Sequence, residues 1–440
     1  MKSAETIPPP FLSRLAAMKV GFLPLPLYLV LAAIIYLAAV YNKLPADMIG
    51  GFAVIMALGI LLGDLGQRIP ILKDIGGPAI LALFVPSIMI FFDFFSPSAV
   101  EAITVLVDNK PGSANFLYLY ISILVVGSIL GMHRTVMIQG FIRMFVPLAA
   151  GTIASILMGL LVGTLFGYEL YHTFFFIIVP IIGGGVGEGI LPLSLAYSHI
   201  LGAPAESFIS QMIPAAVLGN IIAVISAGLL KRLGEKKPEL SGNGMLVKSG
   251  NEKELLALQN EEKPIQFPLM GAGLILACSF FIFGKVAEGF VEIPGAILMI
   301  FLAAIVKYIQ VLPAKMEQGA FHLYKFISST LTWPLMVGLG VLFIPLDEVL
   351  KVISPSYIAI VMSVVITMVM TGFYVGKWMK MYSIEAAIVT GCHSGLGGTG
   401  DVAILSSSNR MQLMPFAQIS TRIGGASTII MATLLMQLFH

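Results

Sequence analysis

Repeated runs of about 20 apolar residues restrict the fold of this chain more than any other feature. In hydrocarbon the backbone N–H and C=O groups find no water, so only helices and closed barrels can cross it. Runs of this length suit helices; a barrel strand needs only about ten residues of alternating pattern. The composition agrees. Of 440 residues 58% are hydrophobic and 11% charged, against roughly 25% charged in a soluble domain. The expected class is an all-α polytopic membrane protein with no nucleic-acid partner. Two cysteines, Cys278 and Cys392, give neither a disulfide framework nor a zinc spacing. The polar, proline-bearing start MKSAETIPPPFLSRLAAMK is unlike a cleavable signal.

Spans are expected at 20–40, 49–65, 78–95, 116–132, 144–166, 208–230, 268–283, 294–309, 326–343, 357–375 and 414–439, about eleven in all. Two further apolar stretches, 173–199 and 383–407, are interrupted by the glycine clusters GGGVGEG and GLGGTG. Neither half of either stretch crosses easily alone, so both read as re-entrant hairpins. The hydrophilic segment 231–266 reads as a mobile cytoplasmic linker between two halves. The organisation is then an N-terminal cytoplasmic segment with an extra first helix (1–47), a first repeat (48–230), the linker (231–266) and a second repeat (267–440). Each repeat holds five spans, with its hairpin between the fourth and the fifth.

Charge orients this arrangement, because cytoplasmic loops carry the excess of Lys and Arg. With the N-terminus inside, the outer loops receive only Lys43, Lys110, Lys285 and Lys351. Making either hairpin a full span spoils that pattern. The first repeat starts outside and the second inside, which is an inverted-topology repeat. The C-terminus falls outside. Such repeats mark secondary transporters, whose sites form at midplane from broken helices.

Glycine lets backbone approach a ligand closely and adopt positive φ. Five glycines in GGGVGEG exceed what a tight turn needs, so this segment is expected to line a site; Glu188 within it is a cation ligand or a structural acceptor. GLGGTG satisfies a dinucleotide-binding spacing, but no strand precedes it and no βαβ unit surrounds it. Thr399 offers a hydroxyl to a carboxylate, or caps the helix that begins near Asp401, itself a candidate cap. Arg422 lies about 12 Å into the last span. An arginine at a helix centre costs about 2.5–3.5 kcal/mol on insertion scales. It either snorkels to the cytoplasmic face or grips an anion bidentately. Gln418, Ser420, Thr421, Gly424 and Gly425 around it favour the anion. Arg410, in the polar SSSNRMQ loop, reads as an orientation or lipid-headgroup residue. No protease, ATPase or hydrolase signature is present, and no nucleophile–base pair stands out, so the chain is not expected to be an enzyme.

The two glycine motifs, followed by GDVAILSSSNRMQLMPFAQISTRIGG, resemble the bacterial 2-hydroxycarboxylate transporter family over nearly the whole chain after the first span. The resemblance implies symport or exchange of citrate, malate or lactate with Na+ or H+ and no organic cofactor. It implies a homodimer in the inner membrane, surrounded by lipid, with a scaffold domain and an elevator-like moving domain. It assigns substrate contacts to Arg422, Gly398, Thr399 and Gly187. It assigns Ile181, Gly183, His393 and Gly395 to sodium through backbone carbonyls. The citrate branch carries Asn where this chain has Val186 and Arg where it has Leu396, so a citrate trianion loses its second arginine here. That favours malate or another smaller 2-hydroxycarboxylate over citrate, taken up with Na+ (or H+). A malate/lactate or citrate/lactate exchanger is the alternative on the same architecture, and an anion channel is the alternative from another class.

Overall fold

The computed structural model describes residues 18–439 apart from 71, 73–76, 109–111, 132–133, 186–188, 249–263, 292–294, 348–349 and 351–352. They form helices throughout, with one two-stranded ribbon, β1 (Lys19–Val20) and β2 (Leu23–Pro24). Among the described residues six helices are long and apolar enough to cross a membrane, or seven if one broken pair counts as a single span. This is a multi-pass membrane protein. The described residues fall into two compact units.

The first unit comprises the described residues up to Asn115 together with Trp333–Phe343. Its helices are α1 (Leu25–Val40), α2 (Met48–Arg68), α3 (Gly77–Phe91) and α4 (Pro97–Val107). Asp47 starts α2 by accepting the Ile49 and Gly50 amides at 2.9 and 3.0 Å, as an N-cap should. Gly59 and Gly63 of α2 let the Trp333–Pro334 segment in: a Cβ at either position would sit 2.5 Å or less from it. Small residues serve membrane helix packing this way. Helix α4 was not expected. Ser96 caps it, accepting the Ala99 amide at 3.3 Å, with Pro97 in its first turn. At 11 residues it falls short of the spanning ruler, and the polar ends of FSPSAVEAITVLVDN read as loop.

The second unit comprises Phe116–Thr332 and the chain from residue 344. It holds α5 (Phe116–Gly131), α6 (Arg134–Leu165), α7 (Leu170–Ile182, with a π-helical stretch over Thr173–Ile178), α8 (Leu191–Leu201) and α9 (Ala205–Lys236). After the linker come α10 (Phe267–Val291), α11 (Gly295–Ile309) and α12 (Ala314–Thr330). The stretch expected as one span at 326–343 is broken at Leu331, where α12 ends and α13 (Thr332–Phe343) begins. Then follow α14 (Pro355–Trp378), α15 (Ser383–Cys392), α16 (Gly398–Ser408) and α17 (Met414–Phe439). Helices α6 and α14 pack along one another, with the buried Ser155 hydroxyl donating to the Val364 carbonyl at 2.9 Å.

Two segments differ from their sequence-based expectation. The linker is not a loose tether over 238–248. That segment runs through a short 3-10 turn, Pro238–Leu240, and pairs Val247 with Met381 in an antiparallel bridge. Leu246 and Val247 are fully buried. Residues 249–263 of the linker lie outside the described residues. Arg410 does not face lipid headgroups: its guanidinium is buried against the Glu385 carboxylate, with Nε donating at 3.0 Å.

Candidate functional site

Both glycine-interrupted stretches break where the sequence says they must. α7 is 13 residues and α15 is 10, about 20 Å and 15 Å at 1.5 Å per residue. Neither matches a hydrocarbon core of about 30 Å. The first break runs through Gly184 and Gly185, at φ +89° and +90°. The second runs through Gly397 at φ +68°. These are conformations that side-chain-bearing residues avoid.

The two breaks meet. A Cβ built on Gly185 would lie 2.4 Å from the Gly397 nitrogen and the Leu396 carbonyl carbon, and one on Gly397 would lie 2.8 Å from the Gly184 oxygen. Backbone therefore touches backbone, with no side chain between. α17 passes the same point: a Cβ on Gly425 would lie 2.9 Å from the Gly183 oxygen, and one on Gly424 2.6 Å from the His393 ring. On the α9 side, a Cβ on Gly219 would meet Ile181 at 3.0 Å and the Ser394 oxygen at 3.4 Å. The glycines of four segments converge because each yields its side-chain volume to a neighbouring segment.

Arg422 sits beside this junction. It is 6% exposed, so its guanidinium does not reach out to the membrane surface. Its Nε donates to Gln418 Oε1 at 2.8 Å, one turn earlier on α17. Gln418 Nε2 donates to Asp401 Oδ2 at 2.7 Å, and the Thr421 hydroxyl donates to Asp401 Oδ1 at 2.6 Å. Asp401 is thus no helix cap; the N-cap position of α16 is Gly397. Its carboxylate ties α16 to α17 and fixes Gln418, which in turn orients Arg422. Nη2 of Arg422 lies 3.7 Å from where a Gly398 Cβ would be. Gly398 and Thr399 are only half-buried, whereas the turn before them is buried throughout. The Thr399 hydroxyl donates to the Leu396 carbonyl at 2.7 Å, closing the turn rather than capping an amide.

The sequence-derived residues distribute as follows. Arg422, Gly398, Thr399 and Leu396 share one corner, and Ile181, Gly183, His393 and Gly395 lie on the two buried breaks. Val186, Gly187 and Glu188 lie outside the described residues. Sequence reasoning missed Asn220 in α9. It is buried, and its Oδ1 accepts the Leu396 amide at 3.3 Å and lies 2.6 Å from a Gly400 Cβ position. Its signal was an amide inside an otherwise apolar helix. Among the described residues no cluster of three or more His, Cys, Asp or Glu could hold a metal. The oxygens near the breaks are carbonyls and hydroxyls, the type that suits hard monovalent and divalent cations. Two of them, Ser394 Oγ and Ser420 Oγ, are buried without a protein partner.

Comparison with known proteins decides the family. The model of the 2-hydroxycarboxylate transporter family matches residues 20–434. The chain belongs to the 2-hydroxycarboxylate transporter family. It is 63% identical over 421 residues to the Na(+)-malate symporter of Bacillus subtilis, covering 96% of this chain and 93% of the relative. Against the citrate/malate-proton symporter of the same species it is 42% identical over 423 residues, with 96% and 93% covered. Against the citrate/sodium symporter of Klebsiella pneumoniae it is 32% identical over 434 residues, with 96% and 95% covered. These relatives are named as symporters, not enzymes, and this family member is likewise a transporter.

Proposed function

We infer that this family member takes up malate with Na+ by alternating access. The observation that carries the reading is the meeting of the two glycine breaks beside Arg422. Half-helix ends and uncommitted backbone are how transporters hold anions and cations away from water. A guanidinium binds a carboxylate through two parallel N–H donors, which an ammonium cannot copy. The Gly398–Thr399 step next to Arg422 is half-buried, and in this reading one end of a small dicarboxylate meets the guanidinium there. Leu396 at this corner carries no charge, so a trianion finds one arginine here rather than two. The orphaned Ser394 and Ser420 hydroxyls lie beside the breaks and suit Na+ as cargo. The 63% relative's name points the same way.

In this reading about eleven helices cross the inner membrane of a bacterium, with the N-terminus cytoplasmic and the C-terminus outside. The two broken stretches are re-entrant hairpins entering from opposite faces. Residues 48–230 and 267–440 form the inverted repeats. Each repeat contributes helices to both compact units, α2–α4 and α13 to the first and the rest to the second. That intertwining suits a scaffold and a moving unit in an elevator motion, with two copies forming a dimer through their scaffolds. Charge sets the stoichiometry. Each elementary charge is worth about 2.3 kcal/mol per 100 mV. A dianion entering an inside-negative cell gains from the potential only with more than two cations, and two Na+ make the step neutral.

Proteoliposomes test this directly. Labelled malate should accumulate under an inward Na+ gradient in vesicles that hold no substrate. Uptake that instead requires malate, citrate or lactate preloaded inside would replace symport with exchange, and passive equilibration without accumulation would indicate a channel.

A further inference from the structure

Far from the glycine junction, at the base of the second broken stretch, one buried carboxylate gathers four donors. Glu385 is fully buried in the first turn of α15. It accepts from Arg410 Nε at 3.0 Å, Ser241 Oγ at 2.9 Å, the Gly242 amide at 2.8 Å and the Gly244 amide at 3.1 Å. Arg410 completes the knot. Its Nη1 donates to the Ser408 and Asn409 carbonyls at the end of α16, at 3.3 and 3.2 Å. Its Nη2 donates to Ser241 Oγ at 3.0 Å and Asn243 Oδ1 at 3.4 Å. The segment 238–248 is laced to the same base. The Tyr382 amide donates to Leu246 at 2.9 Å and the Lys248 amide to Lys380 at 3.0 Å. Gln412 Nε2 donates to the Asn243 carbonyl at 2.8 Å. One ion pair thus holds the start of α15, the end of α16 and a strap of the linker together.

A buried ion pair is poor at adding net stability, because desolvation offsets its attraction; its best-attested use is to fix register. Here each charge also suits its helix end, the carboxylate at the N-terminus of α15 and the guanidinium at the C-terminus of α16. Glu385 lies eight residues from His393, about 12 Å along the helix. Both arms that carry the turn at 393–398 are therefore anchored at one point, and a slip there shifts the turn against Arg422.

We propose that Glu385 and Arg410 are positioning residues for transport: their ion pair, with the 238–248 strap, sets from the base the register of the Gly395–Thr399 turn against Arg422. This rests on the Na+–malate reading above. The strap is then part of the carrier rather than a tether between halves.

The test compares Glu385→Gln, which keeps the shape and an acceptor, with the double variant Glu385→Gln/Arg410→Met, which leaves no unpaired buried charge. Purified protein in proteoliposomes is assayed for the malate KM, the Na+ dependence, the maximal rate and the thermal midpoint. The double variant should fold with a midpoint near that of the wild type, yet its malate KM and half-saturating Na+ should rise together by about tenfold, with a smaller change in maximal rate. The single variant should show the same kinetic shift with a lower midpoint. Arg410→Lys, which keeps charge but not the planar fork, should fall between. A double variant with wild-type KM and Na+ dependence would overturn the proposal. So would failure of both variants to fold, since the pair would then serve only the fold. Wild-type vesicles that show no Na+-driven malate uptake would instead overturn the functional reading, whatever the variants do.

Discussion

Replacing Gly185 with alanine probes the contact on which the site depends. The added Cβ would lie 2.4 Å from two main-chain atoms, the Gly397 nitrogen and the Leu396 carbonyl carbon. Neither is the tip of a flexible side chain, so neither can swing away. Ordinary contact begins at 3.4 Å, so the two breaks must part by about 1 Å in a close-packed interior. The φ of +90° at Gly185 adds strain, of order 1–3 kcal/mol for a residue with a side chain. In enzyme sites a 1 Å misplacement of binding groups can cost on the order of 100-fold. Initial rates of Na+-driven malate uptake should therefore show a malate KM raised by about 10- to 100-fold, with protein still in the membrane. Gly167→Ala is the control. Its φ is similar, +79°, but a Cβ there meets nothing within 4 Å. It should lose about 1 kcal/mol of stability from the backbone alone and keep the wild-type KM. A Gly185→Ala protein with unaltered affinity would refute the argument that backbone contact between the breaks shapes the site.

Two more outcomes follow from the same geometry. Arg422→Lys keeps the charge but loses both the Nε bond to Gln418 and the bidentate fork; malate KM should rise by at least about tenfold with expression intact, and unchanged uptake would remove Arg422 from the substrate. Single thiols at Glu169 and His199, both exposed at the ends of the first broken stretch, should react with an impermeant reagent from the same outer side; labelling from opposite sides would make that stretch a full crossing and end the hairpin reading.

Much of the site was legible in the chain because lipid punishes irregular backbone and buried charge. Five glycines between 183 and 189 and four between 395 and 400 marked breaks, and the small and polar neighbours of Arg422 favoured a protein-facing guanidinium over a snorkelling one. The rest was hidden for physical reasons. Asn220 is a single amide in an apolar run, and nothing local says that it faces the Leu396 amide of a distant segment. Asp401 has the composition of a helix cap, but Gln418 and Thr421 from another helix satisfy it. Arg410 sits in a polar loop that reads as surface, and only the fold brings Glu385 to it. Helix α4 carries a readable Ser-Pro start, yet its 11 residues fall below the length at which apolar periodicity speaks for itself.

A membrane setting, the helix breaks at the two glycine clusters and a burial cost at Arg422 are written in the chain itself, because transfer from water to hydrocarbon acts on each segment separately. The tertiary structure sets which breaks touch, which side chains orient Arg422 and how the linker is held, because those depend on contacts between residues up to 242 positions apart. No local propensity encodes such meetings; they arise when glycines on separate segments give way to one another's backbone.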